Sequence, residues 1–320
     1  MLTTLGAVVA VLLLPRAGVC PVRPRATIPR AISSLRLGSR ILQAHVEASQ
    51  VPTDTDVDWL ALVHATMAQG NVGRAIYLAR TAAETLEDNV LVDEMVATIV
   101  TGALVNDTAE LWQQRLALLS EMEDAGLAGQ SAVAASVRVC RSRGEWARSA
   151  AILQRARERD VRCTVGMYST AIAACDEAGE GAKAMELYAL GVEDKIFSHW
   201  RKDEPFSIDL HLFSQPCAAC AIRHVFQHEL SNFLPSDLKI ITGAGQHSEG
   251  GEPLLLPRIK LLLDEMGVSF VKQSSLSCDR DGCTVFENVG CIEIPVQDLF
   301  KWLVKSRPFE TYYINLPASA

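Results

Sequence analysis

Two stretches in the last third of the chain carry groups that phosphate chemistry needs. In the first, Ile208-Asp209-Leu210-His211, a carboxylate and an imidazole lie two residues apart on a predicted strand. Successive side chains of a strand alternate between its faces, so Asp209 and His211 are expected to point the same way. Asp209 can then orient His211, or either can act as a general base on a water or a ribose 2′-hydroxyl. In the alternative interpretation, both side chains only hydrogen-bond a neighbouring loop and fix it.

The second stretch is a glycine loop between a predicted strand, residues 238–242, and a predicted helix, residues 254–267. Backbone N–H groups and a helix N-terminus at such a place favour a phosphate. The candidate phosphate-binding residues of this loop are Thr242, Gly243, Ala244, Gly245 and Ser248. His247 can add a donor, or a proton for a leaving oxygen, and completes the candidate catalytic set with Asp209 and His211.

These stretches belong to a predicted α/β domain, residues 201–320, in which strands and helices alternate. The predicted strands lie near 207–212, 238–242, 269–275, 284–287 and 290–294, and the predicted helices near 216–233, 254–267 and 296–305. The strand–helix–strand–loop–helix order indicates a parallel sheet that presents the glycine loop at its edge.

Residues 51–200 are predicted to form about four helical pairs, because apolar residues recur there at helical spacing between short turns. Aligning the turns at Gly70, Glu110, Gly144 and Gly179 gives spacings of 40, 34 and 35 residues. A two-helix unit of this length cannot bury its apolar face alone. Stacking the units into a short α-helical solenoid solves this.

Charge is spread unevenly over the chain, whose formal net charge is −8. Residues 51–200 hold 13 basic and 22 acidic side chains, which argues against strong, indiscriminate nucleic-acid binding. One stretch, residues 138–162, holds eight arginines against three acids. Arg141, Arg148 and Arg155 are the candidate phosphate contacts in this stretch. The alternative is a solvated helix face with local pairs, such as Arg155 with Glu158.

Residues 1–50 have the composition of an organelle-targeting segment, with six arginines and one acid. An apolar run at residues 5–14 is too short to span a bilayer, which takes about twenty residues. We expect this segment to be removed, leaving a mature chain without a membrane span. The alternative is a native N-terminal helix. The nine cysteines are scattered and odd in number, which indicates reduced thiols rather than a disulfide framework.

The helical stretch resembles the pentatricopeptide repeat (PPR) family, most closely at Tyr168-Ser169-Thr170-Ala171-Ile172, Cys175 and residues 179–188. The resemblance implies a solenoid that binds single-stranded RNA, with one base contacted per repeat. By that resemblance the contacting positions on the first helices are Ala134 and Ser169. Ser169 can hydrogen-bond a base edge, whereas Ala134 cannot.

The C-terminal stretches resemble the Smr (small MutS-related) domain, whose marks are an LDxH strand and a TGxG loop followed by His-Ser. The resemblance covers about a hundred residues, through the terminal helix with Trp302. It implies nucleic-acid binding and, in some members, endonuclease activity, for which Mg²⁺ or Mn²⁺ is a candidate cofactor. Two positions depart from the family pattern: Leu212 stands where a glycine usually follows the histidine, and Ala244 stands where relatives often have Lys or Arg.

Together these features predict an organellar PPR–Smr protein that binds single-stranded or structured RNA and acts in RNA processing. The plastid is the expected compartment and the mitochondrion the alternative. A function of a different class is a non-catalytic adaptor whose acidic helical array binds protein partners.

Overall fold

A computed structural model of the chain describes residues 58–104, 108–204, 206–231, 233–243, 253–279, 282–307 and 313–314. The predicted targeting segment, residues 1–50, and the loop residues Ala244, Gly245, His247 and Ser248 lie outside these ranges. Within the described ranges, no helix combines the length and apolar character needed to cross a membrane.

Four antiparallel helix pairs occupy the first half of the described chain. Their helices are α1 (Trp59–Ala68), α2 (Val72–Thr85), α3 (Asn89–Thr101), α4 (Ala109–Asp124), α5 (Gln130–Ser142), α6 (Trp146–Glu158), α7 (Val165–Glu177) and α8 (Gly181–Glu193). The first helices of successive pairs, α1, α3, α5 and α7, pack on one another, and each also packs on its own second helix. The predicted array of stacked helix pairs is therefore confirmed.

The same turn ends the first helix of three of the four pairs. Gly70, Gly144 and Gly179 have φ angles of 73°, 72° and 77°, a left-handed conformation that glycine adopts without steric cost. One residue later, the N–H groups of Glu145 and Glu180 each donate to a carbonyl five residues back, at 2.8 Å. These bonds satisfy carbonyls that the helix end would otherwise leave unpaired.

The second pair corrects one feature of the sequence alignment. Glu110 does not occupy the turn: it lies in the first turn of α4, whose N-cap is Thr108. The side chain of Thr108 accepts the N–H of Leu111, so the helix has already begun when the chain reaches Glu110.

The described part of the C-terminal domain contains a four-stranded sheet, three helices and a two-stranded sheet. Its elements are β1 (Ser207–Asp209), α9 (Gln215–His224), β2 (Phe233–Leu234), β3 (Leu238–Ile241), α10 (Leu255–Glu265), β4 (Val271–Asp279), β5 (Gly282–Ile294), α11 (Val296–Ser306) and β6 (Tyr313–Ile314). The sheet order is β1-β3-β5-β4, with β1 and β3 parallel and the other pairs antiparallel. The coarse prediction of a helical array followed by a small sheet-containing domain is thus confirmed.

Several predicted boundaries in this domain are wrong. Strand β1 ends at Asp209 rather than at 212, and β4 runs to Asp279 rather than to 275. The strands expected at 284–287 and 290–294 are one strand, β5. It pairs with β4 along its first part and with both β3 and the start of β4 along its last part, so the residues between stay extended. The helix expected to reach residue 233 ends earlier, in a π-helical turn at Val225–Glu229 that continues α9.

The C-terminal domain docks on the array as a further layer. Helix α9 packs against α7 and α8, just as α7 packs against α5 and α6. Aromatic rings fill the junction: Tyr188 stacks on Phe197 with centroids 4.9 Å apart, and Phe197 contacts Phe213 at 5.7 Å. Helix α9 therefore takes the place of the next first helix of the array.

Candidate functional site

Asp209 and His211 meet at the carboxyl edge of the parallel strands β1 and β3. Asp209 Oδ1 accepts the ring Nδ1–H of His211 at 2.5 Å and the backbone N–H of His211 at 3.2 Å. A carboxylate only accepts hydrogen bonds, so the neutral imidazole carries its proton on Nδ1 and its lone pair on Nε2. The His211 side chain is 49% exposed, and none of the described residues hydrogen-bonds Nε2.

The sequence predicted that strand alternation would bring Asp209 and His211 to the same face. The structure brings them together in a different way. Strand β1 ends at Asp209, and the chain then turns. The N–H of Leu210 donates to the Ile241 carbonyl at 2.8 Å, and the N–H of Phe213 donates to the Leu210 carbonyl at 2.8 Å. This turn brings the imidazole back over the carboxylate. Leu212, the position where the Smr pattern has glycine, is 83% exposed at the tip.

The entrance to the glycine loop lies directly on His211. Gly243 has a φ of 79°, and a Cβ at this position would lie 3.2 Å from the His211 Cβ. Both the left-handed backbone and the close approach favour glycine here. Thr242 is buried, and its N–H and hydroxyl both donate to the Gly290 carbonyl, at 2.8 and 3.2 Å. The Thr242 hydroxyl therefore anchors the loop to β5.

The N-termini of α9 and α10 are joined by a hydrogen bond. The side-chain amide of Gln215, at the start of α9, donates to the Leu254 carbonyl at the N-cap of α10, at 3.2 Å. This bond fixes the position from which the chain leaves the loop. The exit at Leu254 and the entrance at Gly243 are thus both tied to fixed elements.

Most arginines of the 138–162 stretch are engaged within the array. Arg141 pairs with Glu177 at 2.6 Å, Arg155 pairs with Glu123 at 2.9 Å, and Arg148 lies over the Trp112 ring at 5.2 Å. Arg143, Arg157 and Arg159 also bond to partners in neighbouring units. The expected local pair of Arg155 with Glu158 does not form, because Gln154 donates to Glu158 at 3.1 Å while Arg155 reaches the preceding unit. The hydrogen bond from Arg141 lowers the pKa of Glu177, as expected for an ion pair.

Ser169 is half-buried against the C-terminal domain. The Cys217 thiol, on α9, donates to the Ser169 hydroxyl at 3.4 Å. The equivalent position of the preceding unit, Ala134, is also half-buried, on α5. Because α9 packs where a further repeat would lie, it covers the last base-contacting position that the PPR resemblance implies.

A buried polar network at the junction was not foreseen from the sequence. The Tyr188 hydroxyl bonds His199 Nδ1 at 2.9 Å, and His199 Nε2 bonds Glu229 Oε2 at 2.7 Å. Trp200 Nε1 donates to the same oxygen at 2.5 Å, and His224 Nε2 lies 3.1 Å from Glu229 Oε1. Burial raises the pKa of Tyr188 well above its usual range. The members come from separate elements, so no local spacing predicts them.

Six cysteines are free thiols: Cys140, Cys163, Cys175, Cys217, Cys220 and Cys291. Burial raises the pKa of Cys140 and of Cys175 to about 11, and that of Cys220 to about 12, which keeps these thiols protonated and unreactive. Among the described residues, no group of three or more His, Cys, Asp or Glu side chains is placed to hold a metal ion.

Comparison with known proteins does not assign this chain to a family. No protein-family model matches the sequence, and no curated protein matches it. Among solved structures, the chain is similar to the PPR domain of Arabidopsis thaliana protein-only RNase P 1 (PRORP1) in complex with tRNA. That similarity has 10% sequence identity and a TM-score of 0.38, over 65% of this chain and 91% of that one. A likeness of this size assigns neither a family nor a function.

Proposed function

We propose that this chain is an organellar RNA-binding protein of the PPR–Smr type, and that its C-terminal domain cleaves a phosphodiester bond. The plastid is the proposed compartment, with the mitochondrion as the alternative. The observation that carries the proposal is the contact of Asp209 with His211 beneath Gly243, at the carboxyl edge of two parallel strands. The LDxH-like and TGxG-like stretches that form this contact support the Smr assignment.

The proposed chemistry uses groups of the chain. His211 Nε2 takes a proton from a ribose 2′-hydroxyl or a water, whose oxygen then attacks phosphorus. The bond from phosphorus to the leaving oxygen breaks, and a proton donor, for which His247 is the candidate, protonates that oxygen. The amides of the loop from Gly243 to Gly245 stabilise the charge that develops on the phosphoryl oxygens.

Two parts of the site set its limits. Among the described residues, no set of three side chains is placed to hold Mg²⁺ or Mn²⁺. With Ala244 in place of a cation, the loop contributes dipoles rather than a full charge, so cleavage is expected to be slow.

A single-turnover cleavage assay on end-labelled structured and single-stranded RNA tests the proposal. We expect His211→Ala to slow cleavage about 100-fold or more, the range of a lost general base. Asp209→Asn keeps an oxygen that can accept the ring N–H, so we expect a smaller loss. The matched control is His228→Ala, which removes an exposed histidine of the same domain. Equal rates for wild type and His211→Ala would overturn the nuclease proposal.

A non-catalytic adaptor is the second candidate, and one observation favours it. Six of the eight arginines between 138 and 162 already have partners in the array, so contacts from Arg141, Arg148 and Arg155 to RNA would compete with those partners. Removing one arginine that binds a phosphate should reduce the salt dependence of RNA affinity by about one unit of slope. If replacing these three arginines with glutamine leaves the slope unchanged and wild type cleaves no RNA, the adaptor function is favoured.

A further inference from the structure

An open aromatic pocket lies beside the junction of the array and the C-terminal domain. It has a volume of about 300 Å³ and is lined by Trp200, Phe206, Glu229, Ser231, Phe233 and Pro235. The rings of Trp200 and Phe206 lie nearly parallel, with centroids 6.1 Å apart and planes 23° apart. Phe233 is 54% exposed. The pocket therefore offers aromatic faces to a ligand.

One carboxylate, Glu229, supplies the charge of this pocket. Its Oε2 accepts two hydrogen bonds, from His199 and Trp200, and its Oε1 accepts one, from His224. A carboxylate has about four acceptor sites, so the contacts with described residues leave one, on Oε1. The side chain is 24% exposed, so a ligand in the pocket can reach it.

The groups within hydrogen-bond distance of the Glu229 carboxylate are the rings of His199, Trp200 and His224, and no lysine or arginine of the described residues pairs with it. The Tyr188 hydroxyl can donate to His199 Nδ1. Burial lowers the pKa of His224, which favours its neutral form. Arg307, the nearby cation, donates instead to the carbonyls of Phe226, Gln227 and Leu230.

Glu229 itself stays ionised. Burial alone would raise the pKa of Glu229, but hydrogen bonds from His199 and Trp200 lower it to about 2. An ionised carboxylate therefore faces an aromatic pocket at neutral pH.

Two unusual backbone features build the walls of the pocket. Glu229 is the last residue of the π-helical turn, a feature frequent at functional sites. Phe206 has a φ of 59°, which is a true outlier for a bulky side chain. The N–H of Lys239 holds it there by donating to the Phe206 carbonyl at 3.2 Å. Such strain persists where the surrounding structure enforces it, commonly at binding sites.

We propose that this pocket binds an organic cation, either an alkylated ammonium or a guanidinium group. The cation lies against Glu229, donates at most one N–H to Oε1, and packs on the rings of Trp200, Phe206 and Phe233. A guanine edge would need an acceptor on each carboxylate oxygen, and Oε2 has no site left. The proposal does not depend on RNA cleavage.

The test follows the indole N–H signal of Trp200 by NMR in the full chain, assigned by its loss in Trp200→Phe. Choline is titrated against its neutral isostere, 3,3-dimethylbutan-1-ol. We expect choline to shift the signal in a saturable way and the isostere to bind at least about tenfold more weakly. Equal shifts by both would overturn the proposal, as would a stronger response to adenosine monophosphate.

Further ligands distinguish the sources of the cation. Free dimethyl-lysine is compared with a peptide whose central residue, dimethyl-lysine or arginine, carries its one charged side chain. Tighter binding of the peptide indicates a side chain of a partner protein, and equal binding indicates a free metabolite. Either result supports the cation site, and no binding of any of these cations contradicts it.

Variants separate binding from folding. Glu229→Gln removes the charge, and we expect choline to bind at least about tenfold more weakly. Because this change also touches the junction, the second variant is Phe233→Ala, at an exposed ring outside the network. It should weaken choline binding with thermal unfolding unchanged. Tyr77→Ala, at an exposed ring in the array, is the control. Wild-type choline affinity in Phe233→Ala would overturn the proposal.

Discussion

The helical array and the C-terminal domain use polar side chains in opposite ways. In the array, arginines pair with carboxylates of neighbouring units, as Arg141 does with Glu177 and Arg159 with Asp124. In the C-terminal domain, acids meet histidines, as Asp209 does with His211 and Glu229 with His199. The array contacts tie one unit to the next, whereas these C-terminal contacts lie at the candidate site and at the junction.

The array contacts therefore serve the fold, whereas the two C-terminal contacts are candidates for catalysis and ligand binding. Ion pairs in the array use both partners within the fold, so they act on stacking and register. The Asp209–His211 pair leaves the lone pair of Nε2 open, and the Glu229 network leaves one acceptor site on Oε1. Groups left open in this way can act on a substrate or hold a ligand.

The largest effect is expected at the junction network. Glu229→Ala leaves His199, Trp200 and His224 without their acceptor in a partly buried setting. We expect a loss of about 3 kcal/mol in the free energy of unfolding, measured with urea. The control is Glu193→Ala, which breaks an exposed pair with Arg157 and should cost less than about 1 kcal/mol. Equal losses would mean that the junction is no stronger than the array surface.

Acid should weaken the same junction. The folded pKa of Glu229, about 2, lies below the value of about 4.3 for an unfolded glutamate. Its stabilisation is therefore complete above about pH 4.3 and is lost as the pH falls through about 2. The lowered pKa of His224 acts in the same direction below about pH 6.5, where the unfolded chain binds its proton first.

The measurement for this prediction is the free energy of unfolding between pH 7 and pH 3, for wild type and Glu229→Gln. We expect the wild-type value to fall more steeply. Parallel curves for the two proteins would show that Glu229 does not carry the acid sensitivity.

A medium effect is expected at the loop entrance. Gly243→Ala must hold a positive φ and also crowd the His211 Cβ, so we expect a loss of about 2 kcal/mol. Gly144→Ala has a similar φ of 72° but open space around the new Cβ, so about 1 kcal/mol is expected. Thermal unfolding of both variants checks this. If the two variants lose the same stability, the close approach of Gly243 to His211 contributes nothing to the effect of Gly243→Ala.

Within the array, burial should rank the effects, and the smallest is expected at an exposed ion pair. Glu123 is only 4% exposed, and its Oε1 has no hydrogen-bond partner among the described residues. Arg155→Ala should therefore cost about 2 kcal/mol. Arg141→Ala breaks an exposed pair and should cost less than about 1 kcal/mol, with a further decrease in 1 M salt. Urea unfolding at low and high salt checks the order, and a reversed order would contradict it.

The sequence predicted best the features that are local. Helical periodicity predicted the array, and the glycines predicted the turns within three of its four pairs. The second pair has no glycine at this turn, and there Glu110 was wrongly placed in the turn. Asp209 and His211 are two residues apart, so the sequence could predict their contact. The contact forms in a turn rather than along a strand.

The features that the sequence did not predict arise from packing between distant elements. Cys217 covers Ser169 only because α9 docks on α7, and no pattern within either helix encodes that contact. Glu229 meets Tyr188 through His199 for the same reason. Arginine side chains are long enough to reach the neighbouring unit, so the spacing within one helix could not assign their partners.

The central claim is that RNA is held at the carboxyl edge of β1 and β3. The direct test is NMR mapping of a 2′-O-methyl RNA, which cannot be cleaved through its 2′-hydroxyl, on the full labelled chain. We predict that the largest shifts fall on residues 209–212 and on Thr242 and Gly243. Shifts confined to the arginines of α5 and α6, with Gly243 unmoved, would contradict it.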